Sequence, residues 1–138
     1  EVGLLCGRTE FVDRVITAIS PLRERMSPNG YLAGRFDSSW KPAAHSSCLT
    51  GSAQIAVVCY RLAQETGDSA YREQADRLVN FLKPLQMLDS EIPEVNGALP
   101  GSFPILGDYM YLGYPNWATK YLLDALMLQA VVDGENGN

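Results

Sequence analysis

Between positions 10 and 26, Phe11, Val12, Val15, Ile16, Ile19 and Leu22 share one stripe, while Asp13, Arg14, Arg23 and Glu24 fall mostly outside it. Apolar residues at that spacing occupy one face of a 3.6-residue period, so the stretch predicts an amphipathic surface helix. Positions 49–66 read differently. Ile55, Ala56, Val57, Val58, Cys59, Tyr60 and Leu62 leave hardly any polar face before Gly67 supplies a stop. Asp68 can cap a third helix over 69–86, in which Tyr71, Ala75, Leu78, Leu82 and Leu85 form a stripe and Arg72, Glu73, Asp76, Arg77 and Lys83 stay wet. A fourth helix is expected from Pro115, a favoured first helical residue, to about 132, and it is apolar all round. Helices apolar all round are buried, and helices with one stripe cover them. The predicted order is outer, inner, outer, inner, and with no alternating strand pattern the expected class is all-α.

Connection lengths extend this reading. The link between the second and third helices is about two residues, which makes them antiparallel neighbours. The links into the two inner helices, roughly 28–47 and 88–114, are long and both run from an outer helix to an inner one. Both therefore belong at one end of the bundle. Each carries nearly the same phrase: NGYLAGRF at 29–36 and NGALPGSF at 96–103. The repeated unit is loop, inner helix, outer helix, with units at about 29–95 and 96–138, the second incomplete. The matched glycines fit φ > 0 turns or close backbone approach, and Phe36 and Phe103 are expected to anchor the loops.

Composition narrows the classes. The 138 residues are 46% hydrophobic and 20% charged, the profile of an ordinary globular domain, read here as a single domain or a fragment of a larger one. Sixteen acidic against eleven basic side chains argue against a nucleic-acid partner. No membrane span and no basic leader are visible, so a cytoplasmic location is expected. Cys6, Cys48 and Cys59 lack CxxC spacing, so neither a metal site nor a disulfide framework is read, and no cofactor is called for. No GxSxG, P-loop or dinucleotide fingerprint occurs.

The phrases CLTGSAQIA (48–56) and GSFPILGDYMYLGYPNWATKYLLDAL (101–126), on alternating inner and outer helices, resemble (α/α) toroid proteins. More specifically they are similar to the squalene-cyclase-like or prenyltransferase-like toroid proteins encoded with bacterial exopolysaccharide genes. The resemblance implies a ring of helical hairpins of which this chain holds about two, hence an incomplete ring of about four helices. Self-association or a missing remainder would complete it. It also makes Asn116, Trp117 and Lys120 a rim motif. The acidic DxDD box and Q-W repeats of squalene-type cyclases are absent, as is the zinc-binding Cys/His set of lanthionine-type cyclases.

Eight of the thirteen aromatic residues lie in the two long loops or at their edge. Trp40, Tyr109, Tyr111 and Trp117 are the candidates for stacking on the C–H face of a sugar. Asp37 and Asp108 follow aromatic-rich loop motifs and are the candidate catalytic pair, since glycoside chemistry needs two carboxylates; solvated loop acids are the alternative. Asp89, Glu91 and Glu94 read as exposed linker. Lys120 and Asp124, at i, i+4 in apolar company, read as a structural ion pair; Lys120 and Gln54, the matching polar residue on the other inner helix, are the candidate ligand contacts. His45 would need an orienting acid to act as a base. The expected function is carbohydrate binding, with polysaccharide processing of hydrolase, lyase or epimerase type left open. A non-catalytic binding or assembly module and an isoprenoid or lipid-linked ligand are the alternatives.

Overall fold

The computed structural model describes residues 2–135, so the last three positions of the second repeat unit lie outside the described residues. The described residues hold five α-helices: α1 (Val2–Leu5), α2 (Thr9–Arg25), α3 (Leu49–Thr66), α4 (Ser69–Leu82) and α5 (Asn116–Glu135). Two-residue strands β1 (Ser47–Cys48) and β2 (Ser102–Phe103) pair antiparallel. The protein is thus mostly helical, as the periodicity predicts, and none of the described helices is long and apolar enough to cross a membrane.

The termini follow from local chemistry. The Gly67 residue adopts φ +70°, and its N–H reaches back to Ala63 O, closing α3. Asp68 then accepts from Ala70 N at 2.9 Å and opens α4. Replacing Asp68 with alanine is expected to cost about 1 kcal/mol, the usual worth of a side-chain cap, readable as a lower urea midpoint with unchanged helix content. The predicted third helix runs to 86; the α-helix instead ends at Leu82 and continues as a 3-10 turn, Lys83–Leu85, through Pro84.

Helix α3 is the centre of the packing. Helix α4 backs onto it as an antiparallel hairpin, and α5 lies alongside it. One core cluster joins Cys59 and Tyr60 of α3, Ala75, Leu78 and Val79 of α4, and Ile19 of α2. A second joins Leu49, Ala53, Leu82, Ala118 and Leu122 around Leu99 of the second loop. Cys59 behaves as a small hydrophobe: burial pushes its thiol up to about 12. Burial, and then the hydrogen bond to Asp76, hold the Tyr60 phenol well above its usual range.

One expectation is corrected. Helix α5 is not buried all round: Trp117, Leu123, Met127 and Val131 are exposed along one side, because α3 covers only the opposite face. Lys120 is likewise exposed rather than buried, and its ammonium pairs with Asp124, which raises its pKa.

The repeat is present in the main-chain hydrogen bonds. Gly34 N donates to Ser46 O, and Gly101 N to Gly113 O, sixty-seven residues on. Trp40 N donates to Asp37 O, and Gly107 N to Pro104 O, at the same offset. Gly30 and Gly97 share the left-handed conformation, φ +86° and +82°. The correspondence also reaches back before the first loop at an offset of sixty. Helix α2 matches α4 plus its 3-10 turn, and Gly7 (φ +65°) before α2 matches Gly67 before α4. The offset changes because the second loop holds seven extra residues, 88–94.

Candidate functional site

The two long loops meet over the start of α3. Ser47 pairs with Phe103 and Cys48 with Ser102, and Leu49 N donates to Gly101 O at 2.9 Å. Side chains reinforce this seam. Arg35 of the first loop lies 3.4 Å from the Asp108 carboxylate of the second, and Asp108 N donates to Ser46 Oγ at 3.3 Å. Gly107 rests so closely on Ser46 that a Cβ there would sit 2.4 Å from the Ser46 Cβ. The buried Ser102 hydroxyl donates to Tyr109 O and accepts from Tyr109 N, fixing the backbone that carries the aromatic ring.

Two cavities flank the first loop, one between it, α2 and α3 and the other along this seam. One, about 340 Å³, is walled by Leu22, Phe36, Trp40 and Ile55; the other, about 240 Å³, by Ala44, Ser46, Asp108 and Tyr109. Both also use Gly34, Arg35 and Cys48, so they adjoin through a common wall. At the first, Trp40 packs against Phe36 with centroids 6.2 Å apart, and its carbonyl accepts from Arg25 Nε. At the second, Tyr109 accepts at its Oη from Trp117 Nε1 at 2.8 Å. Each cavity thus has an aromatic side chain in its wall, and the exposed Arg35 contributes to both.

The candidate residues are distributed unevenly over them. Trp40, Asp108 and Tyr109 line the cavities, and Trp117 is tied to Tyr109. Asp37 does not line either cavity; its Oδ1 accepts from Ser39 N at 2.8 Å and Lys41 N at 2.9 Å, holding its own turn. His45 is exposed and lines neither cavity; its carbonyl takes a hydrogen bond from Tyr31 Oη. Gln54, Tyr111 and Asn116 are exposed and also outside both cavities. Lys120 lines a third, more apolar cleft of about 390 Å³ among α1, α2, α3 and α5. Phe36 packs on the core as an anchor should, whereas Phe103 stays exposed and meets Phe81 edge-on at 5.7 Å.

Comparison with protein-family models, with curated proteins and with solved structures finds no match. The site rests on its own geometry.

Sequence reasoning missed Arg35, Ser46, Cys48 and Ser102. Arg35 lies directly before the matched Phe36, but its partner Asp108 is far along the chain and no local spacing links them. The serines carried a weak signal, since consecutive Ser46 and Ser47 ahead of a helix suggest hydroxyls that must find partners on burial.

Proposed function

We propose that the groove between the two loops binds carbohydrate, in a chain that forms part of an (α/α) toroid of bacterial polysaccharide metabolism. The observation that carries this reading is the pair of adjoining cavities, the first lined by Trp40, the second by Asp108 and by Tyr109 with its Trp117 partner, and both by Arg35. Aromatic faces suit the apolar face of a sugar ring, and a charged, exposed pair offers directional hydrogen bonds to its hydroxyls. The repeated hairpins, with α3 and α5 side by side and α4 behind α3, support the toroid reading.

Binding is favoured over glycoside cleavage. Hydrolysis needs two free carboxylates flanking one bond. Asp108 lies in the groove, but Asp37 spends one oxygen on two backbone amides of its own turn. The third cleft supports a second reading, an isoprenoid chain, because apolar side chains, Leu4, Phe11, Val12, Val15, Val57 and Val58 among them, make most of its wall.

The test uses the two tryptophans, Trp40 in the wall of the first cavity and Trp117 bonded to Tyr109 of the second. Titrating neutral and acidic oligosaccharides is expected to give a saturable change in intrinsic fluorescence. Trp40→Phe and Trp117→Phe each remove one component of it. Asp108→Ala is expected to weaken binding by roughly tenfold or more, the usual cost of a lost hydrogen bond to a charged group. A response to an isoprenoid phosphate alone would transfer the assignment to the third cleft.

A further inference from the structure

The two cavities beside the first loop differ in charge. The second is lined by Arg35 and Asp108, one charge of each sign. The first is lined by Arg35 and otherwise by apolar or uncharged side chains, so among the described residues no carboxylate stands in its wall. The acids nearest to it in sequence are engaged elsewhere. Asp37 Oδ1 accepts from two amides of its own turn, and Glu24 pairs with Arg25 at 3.5 Å. A cationic cavity runs against the balance of a chain with sixteen acidic and eleven basic side chains.

Arg35 is held ready for an anion. Its Nε and Nη2 donate to Ala43 O at 3.3 and 3.2 Å, which fixes the guanidinium, and Nη2 also meets Asp108 at 3.4 Å. Nη1 makes no hydrogen bond to a described residue, so its two N–H groups are left over. The pair with Asp108 is exposed on both sides and therefore weak, which leaves the guanidinium able to take a second anion. The first turn of α3 adds charge of the same sign. Gly51 and Ser52 stand in the wall of the first cavity, where the helix dipole leaves partial positive charge. Trp40 supplies an aromatic ring to the same wall. At about 340 Å³ the space lies at the small end of ligand pockets, with room for about one sugar ring.

We propose that the first cavity takes the acidic residue of an acidic saccharide, with the ring carboxylate on Arg35 and the ring beside Trp40. This rests on the carbohydrate reading and adds to it a class of sugar, one that carries a uronic-type carboxylate. It also gives the ligand a direction. The carboxylate is kept out of the second cavity by Asp108, so the neutral neighbour lies there, with Asp108 and the Tyr109 hydroxyl as partners for its hydroxyl groups. The chain's net charge of −5 repels an acidic ligand at a distance, so a preference for one has to come from groups that touch it.

Isothermal titration calorimetry tests this with a panel of hexuronate-containing disaccharides, each beside its carboxyl-reduced counterpart. The wild-type chain is expected to bind the acidic member of a pair roughly tenfold more tightly at low salt, and the margin narrows as salt is added. Arg35→Gln is expected to erase the margin. Gly51→Asp and Gly51→Asn then tell the cavities apart, since Gly51 lines only the first. A Cβ at Gly51 meets nothing closer than Cys48 Sγ at 3.5 Å, and an acid in the first turn suits a helix, so both variants are expected to fold. The Asp variant is expected to lose the preference that the Asn variant keeps. Should Arg35→Gln disturb folding, the Gly51 pair decides alone. Neutral counterparts that bind as tightly as the acids overturn this proposal and leave the carbohydrate reading standing. A margin that survives in folded Arg35→Gln, or that is equal in the two Gly51 variants, also overturns it. Absence of binding by every disaccharide overturns the carbohydrate reading and this inference together.

Discussion

Replacing Gly30 with alanine is expected to destabilise the fold by about 4 kcal/mol, while the same change at Gly97 costs about 1–2 kcal/mol. Both glycines sit in the left-handed region, at φ +86° and +82°, so both variants meet the backbone penalty of an L-residue there. Their surroundings differ. A Cβ at Gly30 would lie 2.1 Å from the carbonyl oxygen of Arg77 and 2.9 Å from the Phe81 Cβ, whereas nothing lies within 4 Å of one at Gly97. The obstacle at Gly30 is the backbone of α4, which cannot turn aside like a flexible side chain. The first loop must lift off α4 or the helix must shift, and the edge-on contact of Tyr31 with Phe81 at 5.8 Å goes with it. Urea unfolding of the two variants side by side measures the difference. Equal midpoints would refute the close approach and leave only the shared backbone cost.

Leu99→Ala is expected to lose about 3 kcal/mol, the middle of the range for emptying a fully buried leucine site. Leu99 is completely buried among Leu49, Ala53, Leu82, Ala118 and Leu122, and its N–H donates to Thr119 Oγ1 at 2.9 Å. It is the point at which the second loop is held to both α3 and α5, so the void opens where that loop is anchored to the core. Leu32, its repeat counterpart, lines the 340 Å³ cavity. Its truncation enlarges a space that already exists, and a smaller loss of about 2 kcal/mol is expected. Thermal and urea unfolding give the stabilities. A sugar titration of Leu99→Ala below its midpoint shows whether the groove loosens with its support.

The sequence was most informative where a residue acts on its own chain neighbours. Gly67 and Asp68 end one helix and start the next through contacts within four residues, and α3 spans the predicted 49–66. The matched NGxLxGxF phrases did mark one shared loop conformation. Periodicity failed at α5 for a physical reason: an all-apolar helix reports composition on every face, while exposure depends on what packs there, and among the described residues α3 covers one face only. The four-residue α1 was too short to produce a period. At the site, Trp40 and Asp108 were legible as aromatic and acidic loop residues, but their neighbours were not. The Arg35–Asp108 pair exists only because the β1–β2 seam brings two distant segments together, and nothing local encodes it. Asp37 looked like a reactive acid, although an Asp followed by two serines is also the signature of a side chain that closes its own turn.

The seam between the loops consists of main-chain hydrogen bonds, and a ladder of that kind is indifferent to which side chains project from it. Its side-chain dependence lies in small residues and one ion pair: Gly107 must stay bare over Ser46, Ser102 must keep its hydroxyl under Tyr109, and Arg35 meets Asp108 across it. The side chains of Trp40 and Tyr109 are under no such restriction from the seam. The floor and the reading surface are therefore separable properties of the same two loops. If the proposed carbohydrate reading holds, ligand preference can drift by exchange of those two side chains while the platform beneath them persists.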